Sequence, residues 1–248
     1  WGGANQALNI NGTSGISNTL TGSSQKDTIT GTGNSSDVMT GGGGADTLNG
    51  GGGNDFFNYT AANQATSDII SGGAGTDTIT SNYTGVNDFR FGTITSVEAL
   101  DFQTGSASAT FSGTQIGSGA IAAIDGSSGT DTLVVYGSAV DLSGATFTNW
   151  TDGIDVITIN GSDGADTLTG SSHADQFNKS GGVDTFNGGG GDDVFSFTVR
   201  FSAFPAGVTV NGGNGTDTLY VNSRDFRQAI LSNLEVLTYQ PSGQSGGV

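Results

Sequence analysis

Cysteine is absent from this 248-residue chain, so neither disulfides nor thiolate metal sites hold it together. Proline occurs twice, at Pro205 and Pro241, against 45 glycines. That ratio excludes collagen, which needs glycine at every third position with abundant proline, and suits a turn-dense ordered repeat. Basic residues are scarce: 6 Lys and Arg against 23 Asp and Glu, a formal charge of −17, with lysine only at Lys26 and Lys179. Such a chain repels nucleic acid and anionic membranes. No run of 18 apolar residues is present, so no helix of the chain is expected to insert in a membrane. Glutamate is nearly missing too, with only Glu98 and Glu235. A chain that used acids only for solubility would mix the two types. Aspartate is short, tolerates turns and reaches a cation beside its own backbone.

Catalytic constellations are also lacking. His173 is the sole histidine, so no zinc site of two or three histidines can form, and the His-Glu-x-x-His pattern is absent. Gly243-Gln-Ser245-Gly-Gly247 matches Gly-x-Ser-x-Gly, but a nucleophile elbow needs a strand before it and a helix after it. It reads instead as a Gly/Ser tail. The pairs Asp192-Asp193 and Asp152 with Asp155 are better read as a ligand plus a neighbour than as glycosidase carboxylates. No Gly-Lys-Ser/Thr follows a glycine-rich loop, which removes the phosphate-loop reading. The expectation is a protein that is not an enzyme.

What the chain does contain is a repeat. Gly41-Gly42-Gly43-Gly44-Ala-Asp46-Thr-Leu-Asn49 is followed by Gly50-Gly51-Gly52-Gly53-Asn-Asp55-Phe-Phe-Asn58, a nonapeptide Gly-Gly-x-Gly-x-Asp-x-apolar-x. Six residues make a tight turn needing positive φ, which glycine supplies without strain, and three make a short strand with one apolar residue inward. The aspartate falls where stacked turns can hold a calcium ion. The phase persists: Asp27, Asp37, Asp46, Asp55, Asp68 and Asp77 are each followed two positions later by an apolar residue. So are the isolated rungs at Asp131 and Asp155, the dense block Asp166, Asp175, Asp184 and Asp193, and the last rung at Asp217. A low-complexity linker would not keep that phase.

A longer repeat lies above the first. Asn49-Gly-Gly-Gly-Gly-Asn-Asp-Phe-Phe-Asn-Tyr-Thr60 returns as Asn187-Gly-Gly-Gly-Gly-Asp-Asp-Val-Phe-Ser-Phe-Thr198, and Ser96-Val-Glu-Ala-Leu-Asp-Phe102 returns as Asn233-Leu-Glu-Val-Leu-Thr-Tyr239. The chain therefore reads as a duplicated unit. We expect a first β-roll block over 1–80, a looser β spacer or cap over 81–125, a second block over 126–222, and a C-terminal cap and tail over 223–248. Two nonapeptides make one coil turn that advances about 4.8 Å, the spacing of hydrogen-bonded strands. The apolar residues from Leu48 to Phe195 then stack as a narrow core, and only the ends of the stack need covering. Asp88-Phe-Arg-Phe91 and Thr93-Ile-Thr95 read as strand, and Arg224 to Leu234 is the one place where a short helix is expected.

The array resembles the calcium-binding repeat of the repeats-in-toxin (RTX) family, most specifically at 41–58, 72–80, 161–196 and 212–220. The resemblance implies an all-β fold, a parallel β-roll or β-helix solenoid, with calcium between stacked loops and export from a Gram-negative bacterium by type I secretion. It also implies all-oxygen coordination by aspartate carboxylates and glycine-position carbonyls. Carried over, Asp46 pairs with Gly41 to Gly44, Asp55 with Gly50 to Gly53, and Asp77 with Gly72, Gly73 and Gly75. Asp193 pairs with Gly188, Gly189, Gly190 and Gly191, and Asp217 with Gly212, Gly213 and Gly215. Asp27, Asp37, Asp68, Asp131, Asp155, Asp166, Asp175 and Asp184 are further candidate ligands, on more degenerate loops. Loop 22–27 has Ser and Gln at glycine positions and Lys26 beside Asp27, loop 32–37 has Thr32 and Ser35, and loop 63–68 keeps only Asp68. The expected count is on the order of four to eight ions.

Three functional readings follow. The first is an extracellular scaffold, such as a surface-layer, adhesin or matrix component, which folds on meeting calcium and whose partners are calcium, further copies of itself or cell-surface polysaccharide. The second is a calcium-dependent, non-catalytic C-terminal module of a larger secreted hydrolase or epimerase. The third is ice or carbohydrate binding by an outward threonine ladder (Thr28, Thr30, Thr47, Thr78, Thr80, Thr167, Thr169 and Thr185), against which stands threonine's ordinary preference for exposed strand positions. The chain begins at Trp1 without a signal segment, so it reads as a processed or excised piece, or its address lies elsewhere.

Overall fold

The computed structural model describes residues 6–61, 67–103, 105–178, 181–197, 206–222 and 226–239. Among these the chain is all-β: short strands, mostly of three to six residues, and no helix. Every strand pairing given by register is parallel, so the chain rises by one rung per turn as a β-solenoid. Spatial clustering divides it into two compact units, Trp1–Leu133 with Ala145–Asp155, and Val134–Gly144 with Val156–Val248.

In the first unit one sheet runs in the order Asn9–Asn11, Thr28–Thr30, Thr47–Gly52, Ile69–Ala74 and Thr93–Thr95. Its partner face runs from Thr19–Thr21 through Val38–Thr40, Phe56–Tyr59, Thr78–Ser81, Ala99–Phe102 and Ala123–Asp125 to Thr146–Thr148. The register aligns the inward residue of every strand. Ile10, Ile29, Leu48, Ile70 and Ile94 form one column, and Leu20, Met39, Phe57, Ile79, Leu100, Ile124 and Phe147 the other. Residues between Ile29 and Ile79 in these columns are essentially sealed from solvent. This is the two-residue period of a half-buried strand repeated at each rung.

Residues 81–125 of this unit continue the parallel strands. Val86–Asp88 pairs with Ser108–Ser112, Phe89 stacks on Phe111 at 4.8 Å, and Tyr59 meets the edge of Phe89 at 4.8 Å. The strand expected over Asp88–Phe91 ends at Asp88. The chain turns there because Asp88 accepts hydrogen bonds from the Arg90 amide and, in bidentate fashion, from its guanidinium.

The second unit repeats the plan. Val140, Leu168, Phe186, Val210 and Leu231 share one column, and Ile159, Phe177, Phe195, Leu219 and Leu237 the other. The helix expected near Arg224–Leu234 is not formed: residues 223–225 lie outside the described residues, and Phe226–Ala229 turns into the strand Ile230–Ser232. The duplicated register overrides local helix propensity, because Leu231 extends the Val210 column by one rung. Leu231 and Leu237 are 36% and 57% exposed while the residues they stack upon are sealed.

Candidate metal centres

The rung spacing puts the aspartates into files at the corners of the coil. Asp27, Asp37, Asp46, Asp55, Asp68, Asp77, Asp131, Asp155, Asp166, Asp175, Asp184, Asp193 and Asp217 are all buried, none more than 5% exposed. Carboxylates are rarely buried unless paired or metal-bound, so each needs an account of both oxygens.

The first oxygen has a backbone role. Asp27 N–H donates to Asp46 Oδ1 at 2.8 Å, and Asp46 N–H to Asp68 Oδ1 at 2.8 Å. On the other corner Asn18 donates to Asp37, Asp37 to Asp55 and Asp55 to Asp77, at 2.7, 2.7 and 2.8 Å. Asp131 donates to Asp155 at 2.8 Å, and in the second unit Asp166 donates to Asp184 at 3.0 Å. The file Asp175, Asp193, Asp217 is linked at 2.8 Å per step. Asp37, Asp46, Asp55, Asp68, Asp77, Asp155, Asp184, Asp193 and Asp217 thus each satisfy an N–H of an earlier rung. This second duty had no signal in the motif beyond Asn18, whose amide oxygen could serve as acceptor at an Asp position.

The second oxygen divides the corners into two kinds. Where Ser or Thr stands four residues before the aspartate, the loop satisfies the carboxylate itself. The amides of Ser23, Ser127, Thr151, Ser162 and Ser171 donate to the Oδ2 atoms of Asp27, Asp131, Asp155, Asp166 and Asp175. In the Gly-Gly-x-Gly loops the second and fourth residues take positive φ: Gly42 and Gly44, Gly51 and Gly53, Gly73 and Gly75, Gly189 and Gly191, Gly213 and Gly215. There the amide is turned away, and Oδ2 of Asp46, Asp55, Asp77 and Asp217 is buried with no hydrogen-bond partner. A Cβ built on Gly50 would lie less than 3.0 Å from both Asp55 Oδ2 and the Gly72 carbonyl, and one on Gly188 would lie as close to Asp193 Oδ2 and the Gly212 carbonyl. Glycine therefore keeps open a space into which a carboxylate oxygen and the next rung's carbonyl converge.

Burial raises these carboxyls. Asp55 is pushed up to about 6, first by desolvation and then by the charges of Asp77 and Asp37, with the Asp37 amide opposing. Asp46, Asp77 and Asp217 are raised for the same leading reason. A hard divalent cation relieves both the desolvation and the mutual repulsion, and the donors are all oxygen. Among the described residues no group of three or more acidic or histidine side chains is placed to hold a metal ion by itself. The residues fit a cation held by one carboxylate per loop with backbone carbonyls, not a side-chain cage.

Asp68 is the exception. Its Oδ2 accepts the Tyr59 hydroxyl at 2.9 Å, and its carboxyl is raised to about 7, chiefly by desolvation. In the second copy both partners are replaced together: Phe197 stands at the Tyr59 position and buried Val208 at the Asp68 position. The hydrogen-bonded pair has become an apolar pair.

The fold is a parallel β-roll with buried oxygen donors at its corners. The family model described as RTX calcium-binding nonapeptide repeat (4 copies) matches residues 32–63, 65–82, 158–178, 180–196 and 208–223. The chain carries RTX calcium-binding nonapeptide repeats in both halves. A comparison with curated proteins gives no match.

Of the remaining candidates, His173 sits in the loop ending at Asp175 with its amide bonded to Ser171 Oγ, and the Gly243–Gly247 tail lies outside the described residues. The threonine ladder is interrupted: Thr28 and Thr47 are in register, but Ile69 follows before Thr93, and Thr80 is buried.

Proposed function

We propose that this chain is a calcium-gated structural β-roll of an exported bacterial surface protein, a scaffold of surface-layer, adhesin or matrix type rather than a catalyst. The observation that carries it is the set of buried, unpartnered Oδ2 atoms at Asp46, Asp55, Asp77 and Asp217, each beside a glycine-shaped space. Without a cation these corners bury charge at a cost that the single amide hydrogen bond at Oδ1 does not offset, so binding and folding are one equilibrium. The Gly-Gly-x-Gly corners at Asp46, Asp55, Asp77, Asp193 and Asp217 are the calcium ligands, and the Ser/Thr corners continue the coil.

RTX repeats are typical of secreted proteins, which supports an extracellular site and type I export of the open chain. Extracellular calcium modules fill at about 10⁻⁴ to 10⁻³ M, so submicromolar intracellular calcium leaves the chain open and millimolar calcium outside closes it. Circular dichroism with millimolar calcium and with chelator tests the gate: β signal is expected only with calcium, and equal β content in both would reject it.

A further inference from the structure

The two glutamates stand 137 positions apart and occupy the same place in their copies, Val97-Glu98-Ala99-Leu100 and Leu234-Glu235-Val236-Leu237. Neither of the loops they close, Thr93 to Glu98 and Ile230 to Glu235, contains a glycine or an aspartate, and neither lies in the matched repeat segments. Yet both continue the corner file. Glu98 Oε2 accepts the Asp77 amide at 2.9 Å, and Glu235 Oε2 accepts the Asp217 amide at 2.9 Å.

Each glutamate therefore adjoins a fully buried aspartate whose Oδ2 has no hydrogen-bond partner. A carbonyl completes the convergence. Ser96 and Asn233 hold φ of 51° and 49°. A Cβ built on Gly72 would lie within 3.0 Å of both the Ser96 carbonyl and Asp77 Oδ2, and one on Gly212 would lie as close to the Asn233 carbonyl and Asp217 Oδ2. At each corner an aspartate Oδ2 and a carbonyl thus converge on a space that glycine keeps open, and a glutamate carboxylate holds the amide of that same aspartate. On the Glu98 side of the first corner lies a cleft of about 450 Å³, lined by Ser96, Glu98, Thr114 and Gln115 among others.

We propose that each copy ends in a calcium site of a composition the nonapeptide does not encode: Asp77 with Glu98 and the Ser96 carbonyl, and Asp217 with Glu235 and the Asn233 carbonyl. The inference rests on the calcium reading above. Two carboxylates match a divalent charge, and their oxygens suit a hard cation. The longer glutamate reaches the aspartate amide from a loop without the glycine turn, so one side chain takes over both duties of the repeat's aspartate: amide acceptor and negative charge.

The test measures calcium stoichiometry by isothermal titration for the chain, Glu98→Gln, Glu235→Gln and the double variant. Glutamine keeps an oxygen for the aspartate amide and removes only the charge. Each single variant is expected to lose one equivalent, or to weaken one site at least about tenfold, and the double variant to lose two. Because only two residues contribute, labelling glutamate at the δ-carbon gives a second readout in the unmutated chain. Its carboxylate stretching band is expected to differ between calcium- and strontium-loaded protein. Unchanged stoichiometry in folded variants, or a glutamate band indifferent to the cation, would overturn the proposal, and the band decides if the variants do not fold. If the aspartate bands respond and the glutamate band does not, this inference alone fails. If the chain binds no calcium, the reading beneath it fails.

Discussion

Replacing Tyr59 by Phe tests the corner logic at its most informative point. The hydroxyl donates to Asp68 Oδ2 at 2.9 Å, and both residues are sealed from water. Its loss strands a buried carboxylate oxygen. A hydrogen bond to such a group contributes about 1.5–3 kcal/mol, and an orphaned buried acceptor costs about 1–3 kcal/mol. Taking about 2 kcal/mol, the melting temperature should fall by roughly 4–8 °C for a domain of this size. The second copy supplies the complementary experiment. Phe197→Tyr brings a hydroxyl to the rung where Val208 stands in place of the carboxylate, and should cost a similar amount. Adding Val208→Asp should recover most of that cost, since it rebuilds the Tyr59–Asp68 arrangement at the equivalent rung. Thermal melts in saturating calcium, monitored by circular dichroism, give the four-member cycle. Additive costs for Phe197→Tyr and Val208→Asp, with no recovery in the pair, would refute the claim that these positions are coupled through one hydrogen bond.

Glycine positions within one loop should differ sharply. Gly41→Ala drives a Cβ into Asp46 Oδ2, whereas at Gly43 the nearest atom is 3.6 Å away and φ is not positive. Calcium midpoints should therefore rise for Gly41→Ala and stay near the parent value for Gly43→Ala; equal midpoints would count against a cradle at Gly41. The pH dependence of the metal-free chain should run opposite to that of an ordinary acidic domain. Asp55 and Asp68 are raised from 3.8 to about 6 and about 7 by burial, so the folded state binds more protons than the unfolded one across that interval. Their contribution is then fully present below about pH 4 and is lost as pH rises through 6 to 7. In chelator, the β signal in circular dichroism should be greater at pH 5 than at pH 8, and urea titrations in millimolar calcium should show the opposite order. A metal-free stability that climbs with pH would contradict the assigned burial.

Much of this was legible from spacing alone. An aspartate followed two positions later by an apolar residue stayed in phase from Asp27 to Asp217, and the inward columns follow from that phase. Local signals failed where tertiary register competed with them. Ile230–Ser232 joins a sheet although its flanks suggested a helix, and the strand ending at Asp88 turns under the pull of Arg90. The loops that departed from the glycine pattern could be noticed but not interpreted. Whether Ser23 or Ser171 helps or hinders a cation depends on where its amide points, and spacing does not carry that direction.

From the sequence by itself came the class of fold, the inward residues and the oxygen-donor chemistry, because a nine-residue period constrains which residues can face the axis of a coil. Only the tertiary structure decided which carboxylates are left with an unpartnered oxygen, that Tyr59 occupies Asp68, and that Glu98 and Glu235 finish the corner files. The physical reason is that each corner is assembled from adjacent turns 18 to 24 residues apart, so its hydrogen bonds exist only once the turns are stacked.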